Sequence, residues 1–222
     1  MQYQQWVKEY AKPRSIIPTV GRDRPSSAIA TFEEYTKANG LAVRGPVLDL
    51  GCGNGRNSFS LAGKGYRVYA LDFVESILDR VREQARERRN IRVIHHVLPR
   101  RLPFRDGTFG LIMDLVTTIS LNAVELRAMR REIYRVLKPR GFFLCYYISD
   151  QHSYHANLPR LRDRRFVRMP NGIVDRIWNV RALLSYYPAL EPKLAYVRTK
   201  KERIGRKLEP LEMLIAIFRK PK

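Results

Sequence analysis

The sequence predicts an α/β protein built on a doubly wound, mostly parallel seven-stranded sheet with an antiparallel strand near its C-terminus. Three observations predict it. From Pro46 onward, short apolar runs alternate with segments of helical periodicity, which is the pattern of strands joined by crossover helices. The first run, Val47-Leu48-Asp49-Leu50, passes into the glycine-rich turn Gly51-Cys52-Gly53-Asn54-Gly55. The last two apolar runs, 194–199 and 211–218, have no helical pattern between them and are therefore expected to pair antiparallel.

In chain order, Tyr3, Trp6 and Tyr10 recur at helical spacing, so a short amphipathic helix is expected, broken by Pro13, Pro18 and Pro25. Its aromatics either pack on the domain or close over a substrate as a lid. Ser26 or Ser27 can cap a second helix over 28–39, which Gly40 ends. Strands are then expected at Val47–Leu50, 66–71, 91–97, 109–116 and 142–148. The helices between them cover 58–62, 75–89 and 125–137, the last closed by Lys138-Pro139-Arg140-Gly141. A further helix over 180–187 is stopped by Pro188 ahead of the two closing strands.

The chain of 222 residues, 45% hydrophobic and 28% charged, supports one domain with a sizeable core. No apolar run approaches the ~20 residues that span a bilayer, so membrane insertion is not expected. The first dozen residues are polar and aromatic and lack the apolar core of a secretory signal. Cys52 and Cys145 have no metal-type spacing, so no metal site is expected, and a reduced cytoplasmic setting fits. The net charge of +21 stands out. It implies either a polyanionic partner or an arginine-rich solvated surface. The arginines are widely spread, and the Arg160–Arg168 group is the candidate patch for nucleic acid.

In a doubly wound sheet, ligands bind outside the carboxyl ends of the strands, beside the turn after the first strand. Glycine there allows close backbone approach and positive φ. Gly51, Gly53 and Gly55 are followed by Arg56 and Asn57, where a dinucleotide fingerprint would place its last glycine, which weakens a dinucleotide reading. Asp49 is a carboxylate inside an apolar strand, costly to bury unless it meets a cation or several donors. Either local backbone donors satisfy it or it faces an ammonium group of the ligand. Asp72 ends the second strand roughly 20 residues after Gly51, where an acidic side chain accepts the hydroxyls of a ribose.

Val47-Leu48-Asp49-Leu50-Gly51-Cys52-Gly53-Asn54-Gly55 resembles the first motif of the class I S-adenosylmethionine-dependent methyltransferases. Val68-Tyr69-Ala70-Leu71-Asp72 is similar to their ribose-binding strand end. Leu102-Pro103-Phe104-Arg105-Asp106-Gly107-Thr108-Phe109 and Leu137-Lys138-Pro139-Arg140-Gly141-Phe142 resemble two further segments of that family, in the family's order. The resemblance implies a Rossmann-like fold with S-adenosyl-L-methionine as cofactor. It also implies that Asp49, Gly51 and Gly53 line the methionine moiety, with Cys52 and Asn57 as further cofactor-binding positions, that Asp72 holds the ribose and that Phe73 flanks the adenine. Leu98 stands where the family often has an aspartate for the adenine amino group, so a backbone carbonyl there or His96 would have to substitute. Gly110 and Arg140 depart from the family's aspartate and glycine. Within the family, residues 51–58 look closest to the tellurite-resistance methyltransferases. On this reading residues 1–222 are a single domain: a helical segment and possible lid over 1–40, a cofactor-binding core over 41–148, and an acceptor-side loop with closing strands over 149–222.

Methyl transfer from a sulfonium needs alignment more than activation, and a base only if the acceptor must lose a proton. Topology places Asp114, Asp150, His152 and His155 at the sheet's carboxyl edge, with Asp114 the candidate base and Tyr147 a candidate pocket edge. The expected acceptor is a small molecule. An RNA or protein acceptor met by the basic surface, and a non-catalytic nucleic-acid-binding protein retaining the fold, are the alternatives.

Overall fold

The computed structural model describes residues 2–12, 23–204 and 207–222. The expected breaks at Pro13 and Pro18 lie outside the described residues. Helix α1 (Tyr3–Tyr10) precedes α2 (Ser27–Ala38), whose N-cap Ser26 accepts the Ala28 N–H. The core then runs β1 (Val47–Leu50), α3 (Arg56–Gly63), β2 (Val68–Asp72), α4 (Glu75–Gln84), β3 (Ile91–His95), β4 (Phe109–Leu115), α5 (Ala123–Val136) and β5 (Leu137–Ile148). It is completed by α6 (Ser153–Ala156), β6 (Phe166–Arg168), β7 (Val174–Arg176), α7 (Val180–Tyr186), β8 (Glu191–Ile204) and β9 (Lys207–Arg219).

The seven strands lie in the order β3-β2-β1-β4-β5-β9-β8, parallel except where β9 pairs antiparallel with both β5 and β8. The order reverses between β1 and β4, and this reversal opens a crevice at their carboxyl ends. Residues of β1 are buried on both faces, as a central parallel strand requires. Phe32 of α2 packs on Phe142 (5.4 Å between centroids), whereas Tyr187, just after α7, packs on Phe143 (5.0 Å). Adjacent residues of a strand point to opposite faces, so α2 and α7 cover opposite sides of the sheet.

Several boundaries differ from expectation for tertiary reasons. Helix α4 ends at Gln84 rather than near residue 89, because Asn90 is pinned by the carbonyls of Ala62 and Tyr66 (2.8 and 3.0 Å) and Ile91 must start β3 level with Val68. The 138–141 turn is a bulge inside β5: Phe109 pairs with Leu137 and Leu111 with Phe142. Arg140 takes φ +61° there, the conformation for which the family uses glycine. Gly110 has its own reason, since a Cβ would sit 2.6 Å from the Arg44 carbonyl oxygen. The closing strands are about twice their expected length, because β9 keeps pairing with β8 beyond the residues that β5 covers. Residues 149–179, expected as a loop, contain α6 and the β6–β7 hairpin.

Candidate functional site

The turn after β1 is held open by backbone geometry. Gly51 takes φ +64°, and a Cβ there would lie 2.4 Å from the Thr117 side chain. Thr117 closes over the turn by donating its hydroxyl to the Leu50 carbonyl (2.7 Å). Asp49 is 1% exposed and accepts one hydrogen bond among the described residues, from the Ser58 hydroxyl at 2.7 Å. Burial pushes its carboxyl up to about 6, with Ser58 and the Arg56 charge opposing. A buried carboxylate with a single donor is costly to ionise, and a cation brought beside it would relieve that cost.

Asp72 is answered differently. Its Oδ2 accepts the Gly53 N–H (2.9 Å), and its Oδ1 accepts those of Phe73 (2.7 Å) and Val74 (3.1 Å). Burial raises its carboxyl while these three donors pull it down. Three donors fill three of about four acceptor positions on a carboxylate, which leaves room for a ligand hydroxyl. The ends of β1 and β2 are thus tied together through the Gly53–Asp72 bond.

Helix α1 lies across this edge. Tyr3 packs on Phe73 with the rings tilted (4.9 Å between centroids), and a Cβ at Gly53 would stand 3.0 Å from the Tyr10 hydroxyl. Burial, then the nearby Asp72 charge, raises the Tyr10 phenol well above its ordinary value, so it stays neutral. The helix is also anchored to the other half of the molecule. Gln2 Nε2 donates to the carbonyls of Ser120 (3.0 Å) and Val174 (2.6 Å), and Asn171 Nδ2 donates to Glu9 (3.0 Å).

On the acceptor side, Asp114, the penultimate residue of β4, lies level with Leu50 and is fully buried. Its Oδ1 accepts the N–H groups of Thr117 and Thr118 (3.1 Å each), and its Oδ2 accepts the Thr118 and Tyr147 hydroxyls, the latter at 2.6 Å. Tyr147 is itself buried and stacks on Trp178 (5.8 Å). Asp150 accepts from Asn179 (3.1 Å), and its N–H donates to the Trp178 carbonyl (2.8 Å). His152 and His155 lie in and beside α6 with their Nδ1 atoms 3.0 Å apart. Burial, His152 and Arg160 push His155 down to about 3, so it is neutral near pH 7.

Residues 47–141 match the family model of the methyltransferase domain. This stretch is a methyltransferase domain. The cypemycin N-terminal methyltransferase of Streptomyces sp is 39% identical over 101 residues, 43% of this chain and 38% of that protein. A demethylmenaquinone methyltransferase of Lactococcus lactis subsp. lactis is 32% identical over 121 residues, 51% of this chain and 44% of that protein. The chain spans about half or less of the length of such curated relatives. The 1,6-didemethyltoxoflavin-N1-methyltransferase of Burkholderia thailandensis, solved with 1,6-didemethyltoxoflavin and S-adenosylhomocysteine, superposes with a TM-score of 0.72. That superposition covers 99% of this chain and 87% of the other at 19% identity, a likeness of fold.

The cofactor of such a domain is S-adenosylmethionine, and the residues of this methyltransferase domain fit it. Asp49 has no cationic hydrogen-bond partner among the described residues, Asp72 keeps an acceptor position, and the glycines between them leave backbone free for close approach. The domain gathers Asp49, Gly51, Cys52, Gly53, Asp72 and Phe73 at the carboxyl edge of β1 and β2. Asn57 is turned away: its Oδ1 accepts the Ser26 N–H (2.9 Å) and so fixes the start of α2. The Cys52 thiol is buried, pushed up by burial, and packs in the turn. Leu98 buries its side chain, and His96 contacts the Arg100 carbonyl through Nε2 (3.2 Å). Asp114 spends its lone pairs on the β4 turn and Tyr147, the arrangement of a structural brace. Tyr10 and Thr117 escaped the sequence reading. Aromatic spacing announced a helix at Tyr10 without saying which surface it would meet, and nothing local marks Thr117.

Proposed function

We propose that the protein is an S-adenosylmethionine-dependent methyltransferase that moves the methyl group by direct displacement to a small-molecule acceptor. The observation that carries the cofactor half is Asp49, a buried carboxylate with one hydrogen-bond donor among the described residues, beside the glycine turn. In this reading Asp49 faces the ammonium of the methionine end, Asp72 takes the ribose hydroxyls, Phe73 with Tyr3 flanks the adenine, and α1 acts as a lid. The bound cofactor supplies an already activated methyl. The chain supplies alignment and dryness: Thr117 and Tyr10 close the turn, and the buried Tyr147–Trp178 stack keeps water from the carboxyl edge. The acceptor's lone pair forms the new bond to carbon, the carbon–sulfur bond breaks onto sulfur, and any acceptor proton leaves to solvent.

Two of the relatives support a small acceptor by name, the demethylmenaquinone and didemethyltoxoflavin enzymes. Kinship with the tellurite-resistance subgroup rests on residues 51–58 alone and is part of the same proposal. A nucleic-acid acceptor draws on the exposed arginines 160, 162, 164 and 168. Calorimetry with S-adenosylhomocysteine tests the cofactor half: micromolar binding that Asp72→Ala abolishes is expected, and no binding to the wild-type chain would refute the reading. A methyl-label transfer screen over metabolite, RNA and protein fractions tests the acceptor. Label entering RNA, together with salt-sensitive tRNA binding, would replace the small molecule by nucleic acid.

A further inference from the structure

The acceptor lobe holds a buried cation that no carboxylate pairs with among the described residues. Arg176 ends β7 and is 5% exposed, and its Nε has no hydrogen-bond partner among the described residues. Its guanidinium carbon lies 3.8 Å from the Trp178 ring centroid, 5.3 Å from that of Tyr186 and 5.9 Å from that of Phe166. Two of those aromatic neighbours share its deficit: Trp178 Nε1 and the Tyr186 hydroxyl are also buried without a partner. The Trp178 and Tyr186 rings are themselves 5.2 Å apart. Three buried polar groups therefore stand in one aromatic cluster with no hydrogen-bond partner among the described residues, and two of them, the Arg176 and Trp178 N–H groups, can only donate.

Native interiors rarely leave even one such group unmet, and each calls for a ligand, an ion or a water. The surroundings favour an anion. Asp163, the carboxylate whose field reaches Arg176, is already held by Arg165 at 2.7 Å. Arg130 adds a second positive charge, 4.9 Å from the Tyr186 ring, and spends its one described hydrogen bond on the Tyr186 carbonyl (2.9 Å). No carboxylate pairs with Arg130 or Arg176 among the described residues. The aromatic faces can support a guanidinium by cation–π attraction, but they offer no lone pair to its N–H groups.

We propose that Arg176, Trp178 and Tyr186 form an oxyanion-binding site that takes a phosphate or carboxylate group of a ligand. Arg176 supplies the charge-assisted bonds, and the indole N–H and phenol complete the donor set. Trp178 stacks on Tyr147, which bonds Asp114, so the site lies on the acceptor side of the sheet's carboxyl edge. It deepens the small-acceptor reading above and selects acidic acceptors. Its test needs neither cofactor nor turnover, so it can fail while the methyltransferase reading stands, and the reverse.

The test is titration of the full-length protein with inorganic phosphate, and separately with acetate, followed by the NMR signals of its two indole N–H groups. One signal, that of Trp178, is expected to move saturably with at least one anion and to ignore sodium chloride at matched ionic strength. Arg176→Met, which keeps the stem and removes the charge, is expected to weaken the response at least tenfold. In phosphate-free buffer it should melt no lower than the wild type, an outcome that a purely packing role would not give. Should Arg176→Met fail to fold, Tyr186→Phe removes an unpartnered hydroxyl without disturbing packing and is expected to weaken the response several-fold. No saturable shift in the wild type, or an unchanged shift in every variant that folds, would overturn the site. So would tRNA binding that depends on Arg176 and resists competition by phosphate.

Discussion

The cofactor edge and the acceptor lobe of this molecule are built on opposite plans. At the ends of β1 and β2, buried carboxylates are answered from nearby in the chain: Asp49 by Ser58, and Asp72 by Gly53, Phe73 and Val74. In residues 149–187 several buried polar groups instead reach across the fold or have no partner among the described residues. Asp175 takes a hydrogen bond from Ser120 (2.6 Å), Val174 pairs with Gln2, and Arg176, Trp178 and Tyr186 keep buried groups unmet. One edge carries surplus negative charge and the other surplus positive charge. A sulfonium donor and an anionic acceptor would each meet the complementary side.

The largest effect expected on this contrast comes from Gly51. An alanine there meets about 1–2 kcal/mol of left-handed backbone strain as well as the Thr117 side chain 2.4 Å from its Cβ. Gly51→Ala is expected to lose more than about 2 kcal/mol of stability, read from denaturant melts, and to lose S-adenosylhomocysteine binding as the turn shifts. A variant that melts and binds like the wild type would mean that backbone geometry does not hold the cofactor edge.

An intermediate effect separates the two buried carboxylates that burial pushes up to about 6, Asp49 on one edge and Asp175 on the other. Both folded values lie above the ordinary 3.8. The folded chain therefore holds extra protons between those limits, and stability falls as pH rises from about 4 to about 6. Asp49→Asn and Asp175→Asn should each flatten that fall and raise stability at pH 7, as measured by melts across the window. Only Asp49→Asn should weaken cofactor binding. In the wild type, S-adenosylhomocysteine should bind more tightly as pH rises through about 6, because the ammonium needs the ionised carboxylate. Equal loss of binding in both variants would erase the distinction between the edges.

The smallest effect expected is on the exposed arginines. Arg162→Ala and Arg164→Ala are solvated and should change stability by no more than about 0.5 kcal/mol. They should also leave the phosphate response of Trp178 intact, unlike Arg176→Met. If they abolish it, the anion is held by the surface patch and not by the buried cluster.

Much of the cofactor edge was legible in the chain because its parts are neighbours in sequence. An apolar strand, a glycine turn and a carboxylate at the next strand end fall within 47–72, and short-range geometry leaves them few arrangements. Asn57 shows where that reading failed: it stands within the motif, yet Ser26 claims its side chain from outside. Asp114 failed for a related reason, since its topological place was right but Thr118 and Tyr147 had already taken its oxygens.

Sequence alone determined the sheet, its parallel core and closing antiparallel strand, and the donor-side motif, because periodicity and turn chemistry act over a few residues. Tertiary structure decided what covers that motif and what the other edge can bind. Tyr10 reaches Gly53 and Asp72 only through the docking of α1. Arg176 and Trp178 are two residues apart, but the β6–β7 hairpin brings Phe166, β5 brings Tyr147 and α7 brings Tyr186 against them. Contacts between segments far apart in sequence leave no local period or spacing to read, and the acceptor side is made of such contacts.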